Sequence, residues 1–220
     1  MEIIDNNGEL RINLFHGTSS LFLDSILKYG LAGKDIIQEW RILELAQNVF
    51  SLSEKALKDS ALFLKSGYSF KKMIEQDNTG LFNFQHGQTY VSPSKGSAIN
   101  YSLRNTYGSE LLSYTITFLR ELVKEEIPNS LLTDFKHIND IMNLTPSPVL
   151  IEVSNVHSSS LLSEHGDDPQ HNFNNMAGFP ENLFDALTQQ INFRLIKATS
   201  VENLKFWNIS ATGELTEISI

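Results

Sequence analysis

The sequence predicts a single α+β domain that spans residues 1–220. Its first half carries apolar residues at helical spacing, and its second half carries short β-branched and aromatic runs that are typical of strands. Helices and strands that are segregated along a chain favour an α+β fold over repeating βαβ units. A hydrophobic content of 41% and a charged content of 20% are those of a globular protein.

The first predicted elements are a strand and a short helix. Arg11–Phe15 is an apolar-rich run that predicts the strand. Ser19 or Ser20 can cap the following helix, because a serine oxygen accepts a hydrogen bond from a free N–H of the first turn. Gly30 suits the end of this helix, since glycine readily adopts a left-handed conformation.

The next predicted elements lead into a second strand–helix pair. Apolar residues at helical spacing predict two helices within residues 36–65, with a polar break at Ser51–Ser53. Thr89–Val91 is predicted to be a short strand, and Ser94 is placed to cap a helix that covers Ala98–Leu103.

The remaining chain is predicted to contain strands and one long polar loop. The loop covers residues 157–188, and a loop of this length is commonly functional or disordered. Alternating or β-branched runs predict five strands, namely Leu111–Leu119, Val149–Val153, Gln190–Ala198, Lys205–Ile209 and Gly213–Ile220.

The composition excludes several classes of protein. A formal net charge of −9 argues against nonspecific binding of nucleic acid, which relies on basic residues. The absence of cysteine excludes disulfides, thiolate metal sites and a cysteine nucleophile. No apolar run approaches the length of a membrane helix, and the first residues lack a signal-peptide pattern. We therefore expect a cytoplasmic protein with no membrane partner.

Two sequence blocks carry the functional signal. The first is Phe15-His16-Gly17-Thr18, which is followed by Gly30-Leu31. The second runs from Tyr90 to Tyr101, and its two tyrosines are eleven positions apart. Over residues 12–31 and 86–104 the chain resembles ADP-ribosyltransferases of the diphtheria-toxin and poly(ADP-ribose) polymerase type. This resemblance implies split antiparallel β-sheets that clasp NAD⁺ in a cleft, with peripheral helices.

The resemblance also implies roles for the residues of both blocks. Gly17 would offer its backbone N–H and C=O to the nicotinamide carboxamide, and a side chain there would crowd the ligand. His16 would bind a hydroxyl of the adenosine ribose. Tyr101 would stack on the cationic ring and Tyr90 would close its other side. The implied cofactor-binding set is completed by Thr18 and a serine, for which Ser97, Ser94 and Ser92 are candidates. NAD⁺ is the substrate, and no metal is expected.

The third signature residue of the resembling family is usually a glutamate that binds the nicotinamide ribose. The best match here is Gln190, with Gln189 second and Glu181 a more distant alternative. Glutamine can hydrogen-bond a hydroxyl, but it lacks the negative charge that favours an oxocarbenium-like sugar. The catalytic residues are therefore predicted to be His16, Tyr90 and Gln190, with transfer of single ADP-ribose units.

The expected function is transfer of ADP-ribose from NAD⁺ to a protein or nucleic acid, with release of nicotinamide. The resemblance suggests a bacterial or phage-defence toxin whose partner is an antitoxin protein. An RNA 2′-phosphotransferase of the same fold is one alternative, although its Arg-His-x-Arg cluster is missing. A non-catalytic NAD⁺-binding or ADP-ribose-binding module is the other.

The polar loop is assigned to the acceptor, because the resembling family uses the loop before its third signature residue for that contact. His165, His171 and Asn174 are predicted to select the acceptor. The acids and histidines around Glu164 and His165 resemble metal-ligand spacing, but a solvated polar loop is the preferred interpretation.

Overall fold

The structure is a computed structural model that describes residues 2–77, 83–125 and 130–219. Helices and two antiparallel sheets are both present, which is compatible with the predicted α+β class. The strands are β1 Leu14–Ser19, β2 Thr89–Val91, β3 Pro148–Val153, β4 Leu161–Ser163, β5 Phe193–Leu195, β6 Leu204–Ile209 and β7 Leu215–Glu217. The helices are α1 Leu23–Tyr29, α2 Ile36–Glu39, α3 Ile42–Ala56, α4 Ala61–Ile74, α5 Lys95–Arg104, α6 Glu110–Lys124, α7 Ser130–Asp134, α8 Lys136–Met142, α9 Gln170–Ala177 and α10 Phe184–Leu187.

The chain forms two compact units. The sheet unit contains the segment up to Asp35, Gln88–Gly108 and the segment from Ser147 onward, and it holds both sheets. The helical unit contains the described residues of Ile36–Gly87 and Ser109–Pro146. One domain over residues 1–220 stays a prediction, because two compact units can still fold cooperatively as one domain.

An aromatic cluster forms part of the core of the helical unit. The rings of Phe70 and Phe118 stack with centroids 4.9 Å apart, and Phe50 meets Phe70 edge-on at 5.7 Å. These rings come from α3, α4 and α6, so the cluster joins the three longest helices of this unit.

The four-stranded sheet has the order β1-β3-β6-β7, and all its neighbours are antiparallel. Its central strand β3 is covered on both faces, because Val149, Leu150, Ile151 and Val153 are all fully buried. Leu150 packs with Ala98 of α5, so this helix covers one face. Burial on both faces explains why the strand is an almost continuous apolar run.

The three-stranded sheet has the order β2-β5-β4, with β5 in the middle. Phe193 and Leu195 of β5 are buried, and Phe173 of α9 lies against Phe193 with ring centroids 5.1 Å apart. Because strand side chains alternate, Arg194 points to the opposite face. The two sheets meet where Phe15 and Ser92 exchange both backbone hydrogen bonds at 2.8 Å.

Several predicted elements are confirmed. Val149–Val153 and Thr89–Val91 lie in β3 and β2, and Lys205–Ile209 lies in β6. Ser94 caps α5, since its hydroxyl accepts a hydrogen bond from Ser97 N–H at 3.2 Å. Gly30 ends α1 with a positive φ of 80°. Gly213–Ile220 contains only the short β7, and Ile220 lies outside the described residues.

The predicted strand Leu111–Leu119 is wrong, because this segment lies within helix α6. The buried residues recur at helical spacing, as Leu111, Leu112, Thr115, Ile116 and Leu119 show. The Thr115 hydroxyl donates to the Leu111 carbonyl at 2.7 Å, as β-branched hydroxyls do inside helices. Tertiary burial of this apolar stripe therefore outweighs the strand propensity of its threonines and isoleucine.

Three other predicted boundaries are also wrong. α3 runs through Ser51–Ser53 without a break, because Ser53 is fully buried within it. Residues 157–188 are not one loop but contain β4, α9 and α10. The strand predicted from Gln190 begins only at Phe193, so Gln190 lies in the preceding turn with an exposed side chain.

Candidate functional site

His16 of β1 joins the two sequence blocks directly. Its Nδ1 lies 2.7 Å from the backbone oxygen of Tyr90, a residue 74 positions away in the chain. A carbonyl oxygen only accepts, so Nδ1 must carry a hydrogen, and Nε2 of the neutral ring is then an acceptor. Burial lowers the pKa of His16 below its ordinary value, which favours the neutral ring. Nε2 can therefore accept a hydrogen bond from a hydroxyl group.

Gly17 lies where β1 packs against the backbone of α5. A Cβ atom at Gly17 would stand 2.1 Å from the Ala98 carbonyl oxygen and 3.1 Å from Ser102 N. Glycine is therefore required here by helix packing alone. Backbone groups alternate along a strand, so the N–H and C=O of Gly17 share the edge on which Phe15 pairs with Ser92.

Helix α5 holds the other residues of the second block. The Ser102 hydroxyl donates to the Thr18 carbonyl at 2.5 Å and accepts from Val149 N–H at 3.0 Å, which fixes the helix to the β1–β3 ladder. Thr18 is fully buried, and its predicted contact with the cofactor stays a prediction. Tyr101 precedes Ser102 on α5 and is 39% exposed, and its predicted stacking on the cationic ring stays a prediction.

The turn that contains Gln190 is attached to β2 and α5 by two serine hydroxyls. Ser97 Oγ donates to the Gln189 carbonyl, and Ser92 Oγ donates to the Ile191 carbonyl, each at 3.0 Å. Gln190 lies between these two anchored residues. The structure therefore holds Gln190 in a turn beside β2 and α5 rather than in a strand, and its catalytic role stays a prediction.

The N-terminus of α5 already has an anionic partner within the chain. The Asp185 carboxylate accepts from Gly96 N–H at 3.1 Å and from the Ser94 hydroxyl at 3.2 Å. Carboxylates stabilise helix N-termini through the exposed N–H groups and the helix dipole. This end of α5 is consequently not open to a ligand phosphate while Asp185 is in place.

Sequence reasoning missed a group of polar residues on the three-stranded sheet. Arg194 lies directly between Tyr90 of β2 and Leu162 of β4. Asn192 Nδ2 donates to Glu164 Oε2 at 3.0 Å, which brings a carboxylate to the beginning of β5. This group could have been predicted only from the pairing register of β5, because its residues come from separate segments of the chain.

The other candidate residues are spread over the surface. Glu181 lies in an exposed turn before α10, well separated in sequence from β5. His165 is exposed after β4, and His171 lies on α9, where Asn175 Nδ2 is 3.0 Å from its Nε2. In the described parts of the chain, no three histidine or acidic side chains are grouped so that they could hold a metal ion.

Comparisons of the chain with models of protein families, with curated proteins and with solved structures find no match. Within the described ranges, no helix combines the length and the apolar character needed to cross a membrane.

Proposed function

We propose that the protein transfers ADP-ribose from NAD⁺ to a macromolecular acceptor and releases nicotinamide. The observation that carries the proposal is the contact between His16 and the Tyr90 backbone. It unites two blocks, 74 positions apart, that resemble the same family independently. Gly17 and Tyr101 belong to these same two blocks, and Gly17 packs against the backbone of the helix that carries Tyr101.

The chemistry assigns a task to each of these groups. Cleavage of the bond between nicotinamide and ribose leaves an oxocarbenium-like sugar, so the site must fix the ring and both riboses. Gly17 would bind the carboxamide through its backbone, and Tyr90 and Tyr101 would contact the cationic ring. His16 Nε2 would accept a hydrogen bond from a ribose hydroxyl, which the neutral state of the ring allows.

Two candidates in this chain can take the role of the glutamate that the resemblance implies at the nicotinamide ribose. Gln190 stays the candidate from the sequence, and its exposed side chain lies in the anchored turn. The Asn192–Glu164 pair is the second, since it places a carboxylate at the beginning of β5. A negative charge favours an oxocarbenium-like sugar more than an amide does, so we assign this role to Glu164, with Asn192 as its positioning residue.

A labelling experiment tests the proposed function. Purified protein is incubated with cell extract and NAD⁺ that is radiolabelled on its adenylate phosphate, and the products are digested with protease or nuclease in parallel. Label that is released by protease identifies a protein acceptor, and label released by nuclease identifies a nucleic acid. Absence of label on any macromolecule would contradict transfer and leave the RNA 2′-phosphotransferase and the non-catalytic binding module as the two alternatives.

The chain offers a matched control for this experiment. His157 also has a ring nitrogen 3.0 Å from a backbone oxygen, that of Asn7, but it lies outside the site. We expect His16→Ala to weaken NAD⁺ binding about 3- to 10-fold, as for the loss of one neutral hydrogen bond. His157→Ala should leave NAD⁺ binding unchanged, as calorimetry can measure.

The toxin role, and an antitoxin as partner, are proposals from the resemblance alone.

An RNA 2′-phosphotransferase is the second candidate function, and the position of Arg194 is the observation that favours it. That reaction requires basic groups for an RNA phosphate, and Arg194 lies directly opposite Tyr90. Incubation with RNA that carries an internal 2′-phosphate, with and without NAD⁺, distinguishes the two reactions. Removal of the 2′-phosphate would establish the second candidate.

A further inference from the structure

We propose that Arg194 is a binding site for a phosphate oxyanion, and that the diphosphate of the dinucleotide is its ligand. The proposed NAD⁺ function supplies only the identity of the ligand. The anion site itself follows from the surroundings of Arg194.

The position of Arg194 in the sheet places its side chain beside that of Tyr90. Its neighbours on β5, Phe193 and Leu195, are buried in the core on the α9 side of the sheet. Alternation along the strand therefore places the Arg194 side chain on the other face, next to Tyr90 and Leu162. Tyr90 is the residue whose carbonyl oxygen binds His16.

One nitrogen of the Arg194 guanidinium group has no hydrogen-bond partner among the described residues. Its Nε is buried, and no acceptor within the described part of the chain lies in hydrogen-bonding range. No carboxylate in the described ranges forms an ion pair with it, although the chain has 26 acidic residues against 17 basic ones. The nearby acid Glu164 is bonded to Asn192 instead. An unsatisfied buried donor destabilises the fold, and more so when it is charged.

A ligand with phosphate oxygens would neutralise this charge, and the side chain is within reach of one because Arg194 as a whole is only half-buried. The guanidinium fork matches the geometry of phosphate and forms paired, charge-assisted hydrogen bonds. A diphosphate carries negative charge that the acidic chain would otherwise repel, so a positive group at the site is needed for affinity. Asp185 already occupies the N-terminus of α5, so the N–H groups of this helix end do not supply that positive group.

Calorimetry on three ligands and three proteins tests the proposal. The ligands are ADP-ribose, nicotinamide and inorganic pyrophosphate, and the proteins are the wild type, Arg194→Gln and Lys197→Gln. Lys197 is an exposed residue three positions farther along, and its substitution removes the same formal charge. We expect Arg194→Gln to weaken ADP-ribose and pyrophosphate binding about 10- to 100-fold. Nicotinamide binding should not change, and Lys197→Gln should behave as the wild type.

Thermal melting without ligand separates this role from a structural one. Removal of a half-buried charge that has no partner among the described residues should leave the melting temperature of Arg194→Gln equal to or above that of the wild type. If Arg194→Gln fails to fold or melts lower, Arg194 is a structural residue and the proposal is overturned. Arg194→Lys keeps the charge without the fork, so it should retain part of the affinity for pyrophosphate.

The two proposals fail in different ways. Equal loss of ADP-ribose binding in Arg194→Gln and Lys197→Gln, or no pyrophosphate binding by the wild type, overturns the anion site. Pyrophosphate binding that depends on Arg194, without any transfer of ADP-ribose to a macromolecule, supports the anion site and contradicts the proposed function. Removal of a 2′-phosphate from RNA would then identify RNA as the source of the phosphate.

Discussion

The two ends of the candidate site are held in place by different kinds of contact. The motif end, which consists of His16, Gly17 and α5, is fixed by close backbone packing and by the Ser102 hydroxyl inserted between β1 and β3. The β5 end, which is the segment Gln189–Asn192 before the strand, is fixed by serine hydroxyls that reach its partly exposed turn. A rigid motif end can bind a constant part of a ligand, whereas a lightly anchored end can adapt to the part that varies.

We predict that the rate of NAD⁺ cleavage depends most on the negative charge of Glu164 at the β5 end of the site. We expect Glu164→Gln to lower nicotinamide release about 10²- to 10³-fold, because it removes a negative charge that would stabilise the transition state. This corresponds to about 3–4 kcal/mol of activation free energy. Steady-state kinetics should show the loss in kcat rather than in KM.

Two further variants make this comparison specific. Glu202→Gln removes an exposed acid before β6 and should leave the rate unchanged. Gln190→Ala tests the residue that the sequence indicates. If Gln190→Ala is less active than Glu164→Gln, Gln190 and not Glu164 is the residue that acts on the nicotinamide ribose.

Substitutions at the motif end should instead lower the stability of the fold, because the backbones of β1 and α5 are closely packed there. Gly17→Ala places a methyl group 2.1 Å from the Ala98 carbonyl oxygen, and helix backbone cannot move cheaply. We expect a loss of about 3 kcal/mol in the free energy of unfolding, the upper part of the range for overpacking. A melting temperature lower by roughly 6–12 °C would follow for a protein of this size.

Gly178→Ala provides the control for this substitution. A Cβ atom at Gly178 would meet only the Asn175 oxygen at 3.5 Å, which is an ordinary contact, so its effect should stay within about 0.5 kcal/mol. Equal stability of the two alanine variants would show that β1 and α5 are not packed as described.

The same contrast explains how much the sequence could predict. The motif end is local, since a strand, a glycine, a capping serine and a helix follow one another, and both Ser94 and α5 are where the sequence places them. The β5 end depends on register between distant strands. Asn192 meets Glu164, which is 28 positions away, and no local pattern indicates that pair. The helix α6 was misread for a related reason, because burial outweighs the propensity of its threonines.

The smallest expected effect concerns the hydroxyls that anchor the β5 end. Ser97→Ala removes the hydrogen bond to the Gln189 carbonyl, and we expect it to cost about 0.5–1.5 kcal/mol, reduced slightly by the better helix propensity of alanine. Ser113→Ala is a matched control, since Ser113 also lies in a helix and its buried hydroxyl has no partner in the described ranges. Urea unfolding measures both, and hydrogen exchange at Ile191 should accelerate only in Ser97→Ala. The Ser92→Ala Ser97→Ala double variant should show a coupling energy, because both hydroxyls hold the same turn. If Ser97→Ala is as stable as Ser113→Ala and exchange is unchanged, the turn is held by other contacts, and the two ends of the site do not differ as argued.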